Sequence, residues 1–495
     1  MSIDQTQIDA LRDRNIPAMR NFIGGTWQTS TGGGELPVIS PITGQQIASL
    51  TDSSTADVEA ATLAARRSFD GGAWSLMPPV RRKMVLHRLA ALIEENALEL
   101  AVLGVRDNGT EIGMAYMAEP MNAAATFRFY AEAVDKVNGD ITPTAPEVLS
   151  LVHREPAGVV GAIVPWNFPM MIGAWKVAPA LAAGNSVILK PSEGASLTLL
   201  RLAELAAEAG VPDGVFNVVT GQGATVGQAI ALSNDVDVLT FTGSGAVGRH
   251  LLRYSADSNF KPVHLELGGK SPNIVFEDCG DIASVAQQSA RAIFANSGQV
   301  CVAASRLLVQ SSIYDAFVDA VSAAARSTVL GDPLDLGTQA GAIGTEQQLR
   351  KTTDMVARAR AAGDEVVAGG EVRGNQGFYF EPTVIAAHTN HSPVVREEVF
   401  GPVLSVQRFE TEDEAVALAN DTPYGLASGV WSRDIGRAHR MVRRLKAGVV
   451  HVNCYGGADI TAPLVGHKQS GNGFDRSLDA ISKYQKRKTA WIKIT

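Results

Sequence analysis

Apolar and polar positions change period repeatedly along this chain, and the changes mark its elements. DVEAATLAARRSFD, residues 57–70, spaces apolar residues three and four apart, as one face of a helix requires. RRKMVLHRLAALIEENALELAVL, residues 81–103, keeps the same period and predicts further helix. From 158 onward continuous apolar runs alternate with helical periods. GVVGAIVPWNFP predicts a buried strand over 159–164, stopped by Pro165; GAWKVAPALAAG is a helix ended by Gly184. SVILKPS, VFNVVTG and VDVLTFTG are strands, and SLTLLRLAELAAEAGVP, GATVGQAIALS and AVGRHLLRYSA are the helices that alternate with them. Strand–helix alternation of this kind predicts a parallel sheet covered on both faces. The pattern restarts after Glu266 with SPNIVFED, DIASVAQQSARAIFANSG, SRLLVQ and IYDAFVDAVSAAARS, predicting a second α/β domain. Two pieces stand outside it: GDITPTAPEVLSLVHREP and the tail KTAWIKIT alternate apolar and polar residues, as edge strands do. They are open to two readings, contacts between subunits or pairing within the chain.

Composition narrows the class. The 495 residues correspond to two to four domains at about 100–200 residues each. Hydrophobic residues are 45% and charged residues 19%, a globular balance, and 48 glycines predict many tight turns. The net charge of −8 and the lack of any long Lys/Arg block argue against nucleic acid; KYQKRK near the end reads as a solvated face. Three cysteines, Cys279, Cys301 and Cys454, do not make a disulfide framework and fit a reducing compartment. The polar start MSIDQTQIDALRDRN lacks the apolar core of a signal peptide. The weakly charged stretch 157–189 contains Pro165, Pro169, Pro179, Asn167 and Lys176, which a membrane-spanning helix tolerates badly. A cytoplasmic protein without membrane partners is expected.

Four segments carry candidate chemistry. FTGSGAVGRH places Gly243, Gly245 and Gly248 in G-x-G-x-x-G spacing between a strand and a helix, where backbone can approach a pyrophosphate at a helix N-terminus. A Gly-rich turn without a ligand has the same pattern. LKPSE sets Lys190 and Glu193 after another strand, either a pair of ribose ligands or a charged surface turn. HLELGGKSPNIVF sets Glu266 between leucines; buried there, its pKa would rise toward the range of a general base, while an outward-facing strand Glu would do nothing. FANSGQVCVAASR surrounds Cys301 with small and polar residues. A free cysteine is often a small core residue, but a thiolate is also a strong nucleophile, and small neighbours give it access. C-x-x-C and H-E-x-x-H spacings are absent, so no metal is expected.

FANSGQVC, LELGGKSP, VPWNFP, KPSE, FTGS, EEVFGPV and KQSGNG occur together, and the chain that carries them resembles the aldehyde dehydrogenase superfamily from residue 21 to the tail. The resemblance implies an α/β fold of three parts. A Rossmann-type NAD-binding domain would comprise 1–135 and 157–265, an α/β catalytic domain 266–470, and a small β oligomerisation arm with the tail 136–156 and 471–495. It also implies a homo-oligomer, dimer or tetramer, and oxidation of an aldehyde to its acid. By motif, Cys301 matches the nucleophile, Glu266 the general base and not a ribose ligand, Asn167 the oxyanion amide, and Lys176 a relay or positioning lysine. Lys190 and Glu193 match the adenosine-ribose ligands. Gly243 and Ser244 match the pyrophosphate site, with Val164, Trp166 and Gly223 along the cofactor cleft. Glu398 and Phe400 match the nicotinamide-ribose contact and its neighbour. Glu193 would favour NAD over NADP without excluding the latter.

The same alignment places Phe168, Met171, Trp175, Ala295, Val300, Val302, Ala458, Asp459 and Leu464 around the substrate. Alanines at 295 and 458 imply a wide pocket. The C-terminal run resembles relatives acting on ω-amino or γ-glutamylamino aldehydes. It departs from the usual P-F-G-G-x-K-x-S-G at Leu464 and Val465, with His467 before Lys468, which leaves aromatic or long-chain aldehydes as the alternative. Asp459 is open to two readings: a partner for a cationic substrate amine, or a solvated cap of the turn before Thr461.

Overall fold

The computed structural model describes residues 3–457 and 459–494. Two seven-stranded sheets organise it. The first runs in the order Val263–Glu266, Val238–Thr242, Val159–Ile163, Ser186–Lys190, Phe216–Val218, Asn21–Ile23, Thr26–Gln28. Its first five strands are parallel and the last two join antiparallel. The strands 159–163, 186–190 and 238–242 are buried along their whole length, which explains their unbroken apolar runs: helices cover both faces. From 159–163 the chain builds outward to 186–190 and 216–218, then returns to place 238–242 on the other side. The order reverses at that point, and in open parallel sheets ligands bind in the crevice beyond the carboxyl ends of the two strands flanking such a reversal.

The second sheet is ordered Glu365–Ala368, Thr383–Ala386, Val403–Phe409, Arg306–Gln310, Pro272–Val275, Ala427–Trp431, Val449–Val452, parallel except for its first pair. The chain steps from one sheet to the other between Glu266 and Pro272. Residues 164–167 and 243–244, at the carboxyl edge of the first sheet, thereby face residues 268–269, 301 and 398–401, at the amino edge of the second.

The helical segment expected over 81–103 is two helices, Pro79–Glu95 and Ala97–Asn108. Asn96, outside helical geometry at φ −104° and ψ 14°, separates them and bonds its side chain back to the Leu92 carbonyl. Apolar periodicity continues across such a break because both helices bury the same side. The two outlying β pieces pair with each other: Gln485–Lys493 lies antiparallel along Val148–Pro156, with Asp140–Thr142 on its far side. Of the tail expected with this arm, only 485–493 joins the sheet. Residues 474–484 turn inward, burying Asp475, Ala480, Ile481, Lys483 and Tyr484 against the helix Pro169–Ala182 and its neighbours. No helix among the described residues is long and apolar enough to cross a membrane.

Candidate active site

Cys301 ends a turn that the chain can make only with special backbone. Asn296, Ser297 and Gly298 have φ of 49°, 48° and 72°, three successive left-handed residues. Asn tolerates that region and Gly is at home in it, while Ser is strained there by about 1–3 kcal/mol. A Cβ at Gly298 would lie 2.1 Å from the Gly401 carbonyl oxygen, so only glycine fits. The turn is tied on every side. The Glu111 carboxylate accepts from Asn296 N–H (3.0 Å), Thr110 donates to Asn296 Oδ1 (2.8 Å), Ser297 donates to the Gly341 carbonyl (2.7 Å), and Gly344 N–H donates to Gln299 Oε1 (2.8 Å). The small and polar residues before Cys301 are therefore the parts of a rigid mount. A Cβ at Gly269 would come 2.5 Å from the Cys301 carbonyl oxygen, which accounts for the second glycine of LELGG.

Around Cys301 a cleft of about 170 Å³ opens between the two sheets. It gathers Trp166, Asn167, Gly243, Ser244, Glu398 and Phe400, all named from sequence, with Gln348 and Lys351, which were not. Asn167 is buried and donates its amide to the Gln299 carbonyl (2.8 Å), which holds it against the Cys301 segment. Trp166 and Phe400 meet edge to face at 5.5 Å, Phe400 itself at φ 58°. Glu398 accepts from Gly269 N–H (2.9 Å), and a Cβ at Gly268 would sit 2.1 Å from its Oε2. Gln348 donates to the carbonyls of Val399 and Phe400, steadying that segment. Gln348 and Lys351 come from the polar helix Glu346–Ala361, whose pattern is that of a surface helix and gives no sign of the cleft.

The rim farther out is polar. Lys190 is buried and its ammonium donates to the Pro191 carbonyl (2.9 Å) and to Glu193 (3.1 Å). Burial pushes the Lys190 pKa down. Burial alone would push Glu193 up; the Lys190 charge and the Gly223 N–H override it and hold it below the usual range. Gly223 begins a short π-helical turn and has open space where a Cβ would stand. Val164 is buried and its N–H bonds to the Lys190 carbonyl, tying the two strand ends together. Ser244 caps the helix Gly245–Ala256 by accepting from Val247 N–H. Gly248 packs that helix on Leu265 and Leu267, where a Cβ would be 3.1–3.4 Å from leucine methyls.

Glu266 ends its strand behind Cys301. It is buried, and Oε1 has no hydrogen-bond partner among the described residues. Burial, then the nearby Asp475 charge, lifts its pKa well above the carboxylate range. Burial, then the Glu266 and Glu398 carboxylates, pushes the Cys301 thiol up to about 12. Lys176 lies in a cluster that sequence reading did not anticipate. Asp475 accepts from Lys176 (2.9 Å) and from Lys483 (2.7 Å), all three side chains being 0–1% exposed. Burial would raise Asp475; the two ammonium groups override it and bring it down to about 2.

On the substrate side Phe168, Met171, Trp175, Val300, Val302 and Leu464 pack with Cys301 in one apolar cluster. Ala295 sits part-buried at the start of the turn, and Ala458 lies outside the described residues. Asp459 is exposed and its carboxylate accepts from both the N–H (2.8 Å) and hydroxyl (2.6 Å) of Thr461, the bonds of a turn cap. Glu119, also not anticipated, is buried beside Met171, accepts from its N–H (2.7 Å), and is pushed up to about 8 by burial.

The fold and the cleft agree with comparison to known proteins. Residues 27–490 match the model of the aldehyde dehydrogenase family. The NADP/NAD-dependent aldehyde dehydrogenase PuuC of Escherichia coli is 45% identical over 96% of each chain. The structure of gamma-glutamyl-gamma-aminobutyraldehyde dehydrogenase from Burkholderia cenocepacia superposes with a TM-score of 0.97 at 47% identity, covering all of both chains. That of P. syringae AldA, an indole-3-acetaldehyde dehydrogenase in complex with NAD+ and IAA, also gives 0.97, at 44% identity over 99% of this chain and 100% of that one. A turn built to present one cysteine, set between two parallel sheets and matched end to end by such relatives, places this chain in the aldehyde dehydrogenase family.

Proposed function

We propose that this protein oxidises an aldehyde to its carboxylic acid, with NAD as hydride acceptor and Cys301 as nucleophile. The observation that carries the reading is the meeting of Cys301, Asn167 and Glu266 where the two sheets face each other. The residues of the cleft fit a dinucleotide. The Ser244-capped helix start offers N–H groups to a pyrophosphate. Lys190 and Glu193 offer a donor and an acceptor to a ribose, and the side-chain-free Gly223 leaves the approach to Glu193 open. Glu193 repels a 2′-phosphate, which favours NAD; the name of PuuC shows that a relative uses both cofactors. Held by these residues, a nicotinamide dinucleotide would supply the hydride acceptor.

The chain's own residues do the rest. The Cys301 thiol must give up its proton to attack the carbonyl, and its raised pKa requires that a base or a positive charge assist that step. The Asn167 amide and the Cys301 N–H stabilise the oxyanion, a pair of donors worth several kcal/mol in a water-poor site. Once hydride has left, the acyl group stays on sulfur as a thioester. Glu266, with its raised pKa, accepts a proton from water, which attacks the thioester and releases the acid. Lys176, paired with Asp475, fixes the charge that Glu266 senses.

The substrate we infer is an ω-amino or γ-glutamylamino aldehyde, supported by the Burkholderia cenocepacia relative. An aromatic aldehyde is the second reading, favoured by the apolar lining from Phe168 to Leu464 and by the indole-3-acetaldehyde relative. The three-stranded sheet of 140–142, 148–156 and 485–493 leaves Ile141, Trp491 and Ile492 exposed, an apolar surface suited to a homo-oligomer contact. The mechanism is tested with Glu266→Gln. Rapid mixing with NAD and aldehyde should give an NADH burst of about one per site, followed by turnover slowed about 10²–10⁴-fold. Equal loss of burst and steady state overturns the division of labour.

A further inference from the structure

An arginine-bearing turn lies against Trp175 on the substrate side, and the mechanism above makes no use of it. Arg476 follows the short strand Phe474–Asp475 with φ 66°, and Ser477 follows with φ 51°. Two adjacent non-glycine residues in the left-handed region cost about 1–3 kcal/mol each, and such strain persists where the surroundings dictate it. The result is an arginine only 6% exposed whose guanidinium lies over the Trp175 ring, 5.4 Å from its centroid. Arg476 Nε and Nη1 are buried and have no hydrogen-bond partner among the described residues, and Arg476 is in no ion pair among them.

The other deeply buried arginine shows what a structural role looks like. Arg306 donates to the carbonyls of Lys270 (2.9 Å), Leu418 (3.1 Å) and Ala419 (2.7 Å). Arg476 has no such bonds. Its neighbour Asp475 already serves Lys176 and Lys483, and Glu266, the other carboxylate facing this cluster, makes no hydrogen bond or ion pair with Arg476 among the described residues. Asp459, the acid across the pocket mouth, is bonded to Thr461. Buried donors left without partners are costly, and the planar guanidinium is shaped to grip a carboxylate with two parallel bonds.

We propose that Arg476 is a specificity residue of the aldehyde site and binds a carboxylate carried by the substrate at the end remote from its reacting carbonyl. The inference rests on the aldehyde-oxidising reading and narrows the substrate class within it: aldehydes with an anionic tail, which keeps the γ-glutamylamino aldehyde, whose far end carries a carboxylate, and sets aside neutral aldehydes and those ending only in a free ammonium group. Trp175 holds one face of the guanidinium and leaves its edge to the ligand.

The test uses three aldehyde series of matched length: ω-oxo acids, unsubstituted alkanals and ω-amino aldehydes. The native enzyme should give its highest kcat/KM with an oxo acid. Arg476→Met should lower kcat/KM for the oxo acids by about tenfold to a hundredfold, mainly through KM, since a hydrogen bond to a charged group is of that strength. Values for alkanals should hold or improve, and Arg476→Lys should recover part of the loss. Equal changes across the three tails, or a native enzyme that favours alkanals or amino aldehydes over oxo acids, overturns the proposal. The native comparison decides it even if the variants do not fold. Should no aldehyde yield NADH, the dehydrogenase reading falls separately. Quenching of tryptophan fluorescence by dicarboxylates against monocarboxylates then decides Arg476: tighter dicarboxylate binding supports it, and equal binding overturns it.

Discussion

On the cofactor side of Cys301, contacts are made mostly by backbone. Gly243, Gly268, Gly269 and Gly298 stand where a Cβ would strike another atom, and the charged groups Lys190 and Glu193 lie at the rim. On the substrate side the wall is side chain throughout. It combines apolar packing with a buried group of charges, Lys176, Asp475, Lys483 and Arg476, drawn from segments far apart in the chain. Backbone geometry is written in short runs around obligatory glycines. Side-chain walls are written one residue at a time. The first can be carried from one relative to another almost unchanged, while the second can be rebuilt for a new aldehyde without disturbing it.

Cys301→Ala should break both sides at once, because the reacting sulfur is where the two meet. Oxidation should fall by at least about 10⁴-fold, while NAD binding, followed by fluorescence titration, stays near the native value. Substantial turnover would mean that the walls serve another nucleophile.

Asp475→Asn strikes the substrate side alone. It leaves two buried lysines facing an uncharged amide, and breaking a buried pair in this way costs about 3–5 kcal/mol. Denaturant unfolding should show that loss. The pH dependence has a defined sign. Native Asp475 titrates at about 2, below its ordinary 3.8, so the stability it contributes is complete above the ordinary value and disappears as pH falls toward 2. The variant should lack that acid-dependent component. Removing the negative charge beside Glu266 should also lower the Glu266 pKa, moving the rise of kcat with pH to a lower pH.

Glu193→Ala tests the cofactor side. The ratio of kcat/KM for NAD over NADP should fall by roughly tenfold, the scale of one charged contact, with aldehyde KM unchanged. A native enzyme already favouring NADP would reverse the assignment. The smallest effect is expected at Asp459→Ala. Its carboxylate is committed to Thr461 in an exposed turn, so KM for an ω-amino aldehyde should change by less than about threefold, as for a surface substitution of a few tenths of a kcal/mol. A tenfold rise confined to amino aldehydes would show that Asp459 leaves Thr461 to meet a cationic substrate.

The same contrast explains what could be read from the sequence. The unbroken apolar strands at 159–163, 186–190 and 238–242 announce a covered parallel sheet because burial on both faces leaves no polar positions. NSGQVC announces its turn because Asn and Gly answer a local backbone demand. The break at Asn96 was hidden, since a break with apolar residues on the same side leaves the period intact. Lys176 and Asp475 are 299 residues apart, and nothing local in GFDRSLDA distinguishes an inward Asp and Arg from an ordinary charged turn. Gln348 and Lys351 give no local sign either, lying among the charged and polar residues of a helix whose buried positions are Thr352, Met355, Val356 and Ala359.

The turn before Cys301 is held by Glu111, Gly341 and Gly344 and shaped against Gly401, so no short fragment of the chain contains both the cysteine and its mount. During synthesis the thiol leaves the ribosome long before the strand that follows Gly401. Until then it is an ordinary exposed cysteine, without the geometry of the site. The site's geometry arrives with the last contacts of folding, and the same contacts bury the thiol and push its pKa up to about 12, so a chain that stalls earlier carries an exposed cysteine that ionises more readily than the folded one.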